Sequence, residues 1–88
     1  MKNKKKWFED KVKAVPPEIS EEMRLSSDVV SRLDHILKTK GITQRELARR
    51  MGRSEAVVSR WTTGFPNLTL KTIAELSVAV GEPLIVVP

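Results

Sequence analysis

Between Ser54 and Gly64 the chain reads SEAVVSRWTTG, and at 100° per residue Ala56, Ser59, Arg60 and Thr63 share one side of a helix. Val58 and Trp61, about 60° apart, take the other side, with Glu55 and Val57 on the flanks. A face of small side chains carrying one long arginine lets a helix axis sit deep in a groove about 12 Å wide while still reaching a base edge. Arg60 could fork onto a guanine, Glu55 could accept from a cytosine amino group, and Ala56 could touch a thymine methyl. This is recognition chemistry; the residues needed to break bonds are missing. His35, the single histidine, stands beside Asp34 with no partner placed nearby, and no Gly-rich phosphate loop, nucleophile elbow or paired-carboxylate arrangement occurs. Cysteine is absent, which excludes disulfides and a cysteine-ligated metal. The expectation is a non-enzyme with no cofactor and no metal.

Charge sharpens that expectation. The net charge is +5 over 88 residues; residues 1–17 contribute +4, residues 38–60 contribute +5, and the remainder sums to −4. Two basic blocks beside an acidic body suit a polyanion partner, because neutralised phosphates release counterions. A soluble tail plus a solvated helix face would have the same composition. Lys4, Lys5 and Lys6 could enter a minor groove, as basic arms do, or remain a weakly attracted tail.

The elements that must position the Arg60 face can be read from caps and periodicity. Pro16-Pro17 separates the Lys-rich arm, with Trp7, Phe8, Val12 and Val15 at loose helical spacing, from the body. A first helix places Val29, Val30, Leu33, Ile36 and Leu37 on one stripe and ends at Gly41; it starts near Glu18 or at a Ser26 or Ser27 cap. Thr43 and Glu46 form a T-x-x-E capping box for a second helix that Gly52 stops. Ser54 caps the third, which runs EAVVSRWTT to Gly64. Thr69 caps a fourth, LKTIAELSVAV, expected to bury Leu70, Ile73, Leu76 and Val80 before Gly81. Because so tight a turn forces a close crossing, small Ala48 suits the contact and Gly52 the turn. Trp61, by its spacing from Val58, belongs to the core rather than to a stacking platform. The tail EPLIVVP reads as one short strand, and LIVV could pair with its two-fold mate.

With these cues in place, the segment resembles the helix-turn-helix of the lambda-repressor-like family, the xenobiotic-response-element type regulators. Gln44, Leu47, Ala48, Gly52, Val58, Ser59 and Trp61, then Gly64 and TLKTIAELSVAVG, carry the likeness over roughly residues 27–81. The resemblance implies that Glu55, Ala56, Ser59 and Arg60 face base edges. It implies phosphate contacts for Thr43, Gln44, Arg53, Ser54, Thr62, Thr63 and Gly64, with Gln44 also bracing the next helix. Family members often carry Gln or Ser where Glu55 and Ala56 stand, so the target sequence does not transfer, and Glu55 could serve mainly to reject wrong sites.

The resulting expectation is an all-α, lambda-repressor-like bundle of four to five helices with a short C-terminal strand. Its parts are a partly ordered basic arm (1–17), a helix-turn-helix domain (18–81) and a tail (82–88) available for a dimer contact. The function expected is a cytoplasmic, sequence-specific double-stranded DNA-binding regulator, a repressor, acting as a homodimer on a near-palindromic operator with no membrane association. Dimerisation would run through the tail strand or, as is similar to phage repressors, through the fourth helix or its following loop. An alternative adds a second partner. The short length, the fourth helix followed by a tail strand, and the extra N-terminal segment together look like HigA-type antitoxins, in which residues 1–25, anchored by Trp7, Phe8 and Ile19, would cover a protein toxin.

Overall fold

Three side-chain caps and three left-handed glycines divide the described residues. The computed structural model describes residues 15–63 and 68–88. Helix α1 spans Pro17–Lys40, α2 Gln44–Met51, α3 Glu55–Thr62 and α4 Leu70–Val80, with no strand among the described residues. The hydroxyls of Thr43, Ser54 and Thr69 accept from the amides of Glu46, Val57 and Thr72, so each short helix begins with an otherwise orphaned donor satisfied. No described helix is long and apolar enough to cross a membrane.

Helix α1 settles the choice left by its sequence: it starts at Pro17 and passes unbroken through Ser26 and Ser27. Proline costs nothing in a first turn, where its missing N–H would have no partner, and Glu18 there suits the positive end of the helix dipole. Arg24 bridges Glu21 and Asp28, and the second of these ion pairs, at 2.9 Å, spans the two serines.

Val29, Leu33, Ile36 and Leu37 of α1 meet Leu47 and Ala48 of α2, Val58 of α3, and Leu76 and Val80 of α4 in one core, which Ile42 and Leu84 complete. Leu33, Leu47, Val58 and Leu76 have no exposed surface. The expected α1 stripe is thereby confirmed, with Val30 half-buried. One α4 expectation fails: Leu70 is 79% exposed. It lies about 90° from the centre of the stripe formed by Ile73, Leu76 and Val80, too far round the helix to share their burial.

The expected C-terminal strand is also absent; residues 82–88 adopt no regular structure. Leu84 instead enters the helical core, and its amide donates to Ser77 Oγ at 3.1 Å while that hydroxyl donates to the Ile73 carbonyl. Arg32 and Lys40 pair with Glu82 from across the molecule. Among the described residues no strand lies beside this tail to complete a ladder, and Val86 and Val87 project into solvent.

Candidate nucleic-acid interface

The turn between α2 and α3 sets how the Arg60 face is presented. Gly52 adopts φ 64°, ψ 33°, and Arg53 donates its amide back to the Ala48 carbonyl at 3.0 Å, closing the end of α2. A Cβ at Gly52 would meet nothing within 4 Å, so the site demands glycine for its left-handed backbone rather than for room. Ala48 is buried where α2 packs on its neighbours. At the far end of the pair, Gln44 Nε2 donates to Thr62 Oγ1 at 2.8 Å, tying the start of α2 to the last turn of α3.

On α3, Val58 is buried and Trp61 half-buried against the core, while Glu55, Ala56, Arg60 and Thr63 are exposed and Ser59 is half-buried. The face of small side chains with one arginine therefore points away from the molecule's interior. Thr62 and Thr63 both donate their hydroxyls to the Ser59 carbonyl, at 3.1 and 2.8 Å, and Thr63 leaves the helix with extended backbone. The helix thus ends one residue before the expected EAVVSRWTT boundary. Gly64, taken as its stop and as a phosphate contact, lies outside the described residues, as do Lys4, Lys5 and Lys6. The remaining phosphate candidates, Thr43, Gln44, Arg53 and Ser54, are exposed around the α2 and α3 starts, and Thr62 is half-buried.

The second basic block is less uniform than its composition suggests. Lys38 pairs with Asp34, and Arg49 and Arg50 with Glu46. Lys40 Nζ and Arg50 donate to the Val80 and Ala79 carbonyls at 2.7 and 3.0 Å, supplying cations at the negative end of α4, whose own last turn holds none. Arg53 bridges to Glu75 at 3.3 Å and lies 5.9 Å from the centre of the Trp61 ring. That leaves Arg45 and Arg60 as the block's two arginines outside any ion pair among the described residues. Sequence reasoning passed over Arg45. Its signal was the neighbouring Gln44 at the helix start, a position where exposed N–H groups already favour anions.

These features describe a two-helix unit with a solvent-facing second helix, and comparison with known families decides its kinship. The family model of the Cro/C1-type HTH DNA-binding domain matches residues 32–82, more than half of the chain. The chain belongs to the Cro/C1-type helix-turn-helix family. No curated protein and no solved structure matches it. In this Cro/C1-type domain, α2 and α3 are the helix-turn-helix pair, and the match supports DNA binding as the activity of residues 32–82. It also covers the last nine residues of α1 and all of α4, the helices that carry the core beneath the pair.

Glu46 provides a measurable consequence of this packing. It fulfils only half of the capping box: Thr43 accepts from its amide, but its carboxylate turns to Arg49 and Arg50 instead of back to the Thr43 amide. Hydrogen bonds from Arg49 and then Arg50 hold the carboxyl at about 2, below its ordinary 4.5. A depressed folded-state value means the contribution to stability is full above the unfolded value and fades as pH falls from about 4.5 toward 2. Glu46→Gln should flatten that part of the profile of melting temperature against pH; an unchanged slope would mean the pairs contribute nothing.

Proposed function

We propose that this Cro/C1-type domain is a sequence-specific double-stranded DNA-binding transcriptional regulator, a repressor that occludes its operator as a homodimer. The observation that carries the reading is the exposed α3 face: Glu55, Ala56 and Arg60 open to solvent around Ser59, over a buried Val58. Arg60 would fork onto guanine O6 and N7, Ala56 would touch a thymine methyl, and Glu55 would accept from cytosine or reject sites that offer it no donor. Thr43, Gln44, Ser54, Thr62 and Thr63, with Arg45, would hold the phosphates on either side, fixing register without reading sequence. Arg53 would have to exchange Glu75 for phosphate. Binding to any duplex should weaken steeply with added salt, as phosphate contacts require. Affinity that is absent at low salt would refute the DNA reading.

For the dimer, the observation is an apolar ridge on α4. Leu70, Ala74 and Val78, spaced i, i+4 and i+8, are all exposed, with Val78 at 83%. Ridges at this spacing interdigitate when two helices cross, and alanine in the middle permits close approach about a two-fold axis. Ala74→Glu should convert a sedimenting dimer to a monomer while leaving the helix content intact. A dimer that survives the substitution would place the contact elsewhere.

The antitoxin alternative draws on Ile19, Met23 and Leu25, which leave apolar surface exposed along the first half of α1. Expression together with the neighbouring reading frame tests it. A small protein that co-purifies and is lost on deleting residues 1–16 supports an added neutralising role, and its failure to co-purify removes that role without touching DNA binding.

A further inference from the structure

The first half of α1, the start of α4 and the tail line a groove of about 360 Å³ to which α3 contributes no residue. Leu25, Leu70, Ile73 and Ile85 form its apolar floor, and Glu18 and Glu22 stand on its rim. Leu25 is 48% exposed and Ile85 41%, so the floor is open to water. Neither Glu18 nor Glu22 forms an ion pair among the described residues, whereas nearby Glu21 is held by Arg24. An apolar slot edged by unpaired carboxylates fits a cationic segment bearing large apolar side chains.

We propose that the occupant is the chain's own N-terminal segment, residues 2–15, folded back in cis so that Trp7 and Phe8 fill the slot and its lysines meet Glu18 and Glu22. Three observations support this choice. The segment, which lies almost wholly outside the described residues, carries six lysines against Glu9 and Asp10 together with Trp7, Phe8 and Val12. It ends next to the groove: Val15 precedes Pro16, whose extended backbone (φ −54°, ψ 137°) leads straight into the helix bearing the rim. The reach suffices as well. Phe8 to Val15 extends to about 23 Å, while Glu18 to Leu25 spans only about 10 Å of helix. A tethered ligand also acts at an effective concentration of the order of millimolar. Docking would cover apolar surface that otherwise faces water. The inference stands independently of the DNA reading.

Because the chain has no cysteine, Asn3→Cys accepts a single spin label in the full-length protein. With label and isotopes on the same molecule, the methyl signals of Leu25, Leu70 and Ile85 should lose most of their intensity, while those of Val58 on α3 persist. In the Ala74→Glu background, which removes the proposed dimer contact beside Leu70, mixing labelled but isotope-free chains with isotope-enriched, unlabelled ones should leave the groove signals intact. Introducing Glu18→Lys with Glu22→Lys should restore them in the doubly tagged molecule. Loss that also appears in the mixed sample would make the occupant a second copy's segment and overturn the proposal. Uniform loss, no loss, or loss that is indifferent to the rim reversal would overturn it too.

Discussion

Replacing Leu47 with alanine should destabilise the domain by about 2–5 kcal/mol, the range found when a buried leucine leaves a cavity that its surroundings cannot close. Leu47 has no exposed surface, and its helix, α2, packs against both α3 and α4. Collapse around the cavity would need three helices to move at once, which argues for the upper half of the range. At roughly 0.05–0.15 kcal/mol per residue, a chain of this length holds about 4–13 kcal/mol in all, so the loss removes a large share of it. Denaturant unfolding should show a lower midpoint at unchanged slope. Val86→Ala, at a site 74% exposed, should shift stability by less than about 0.5 kcal/mol. A Leu47→Ala variant as stable as Val86→Ala would contradict the packing described above.

Arg60→Ala should leave stability nearly unchanged and weaken the preferred duplex by about 1–3 kcal/mol, roughly 5- to 150-fold. Arg60 is exposed on α3 and takes part in no ion pair among the described residues, so its removal orphans nothing in the free protein. The cost then falls on the complex. Losing a phosphate contact weakens all sequences alike, whereas losing a base contact weakens the preferred one most. Arg45→Ala is the matched control: an exposed arginine at the start of α2, expected to lower affinity for random and preferred duplexes equally. If Arg60→Ala behaves as Arg45→Ala does, Arg60 touches backbone rather than bases.

What could be read from the sequence was local. Thr43, Ser54 and Thr69 announce helix starts because a cap needs only its own hydroxyl and an amide three residues on. Gly41, Gly52 and Gly81 announce stops because each supplies a positive φ that other residues resist. Val58 against Ala56 and Arg60 follows from helical spacing alone. The departures arise where distant groups compete. Glu46 abandons the Thr43 amide because two guanidinium groups on the following turn offer stronger partners. Lys40 and Arg50, counted as a DNA-facing charge, are drawn to the carbonyl end of a helix some thirty to forty residues away. The tail looked like a strand because β-branched residues favour one, yet burial of Leu84 and the hydroxyl of Ser77 decide its course. Leu70 shows the limit of a stripe extended by one turn too many.

The most direct test of the central claim, that the exposed face of α3 reads bases, is parallel selection of bound duplexes from a random pool by the unmodified protein and by Arg60→Ala. The first selection should return one sequence motif with two related halves, and the second should return the same motif relaxed at one base position in each half. Identical motifs from both proteins, or no motif from the unmodified one, would contradict the account.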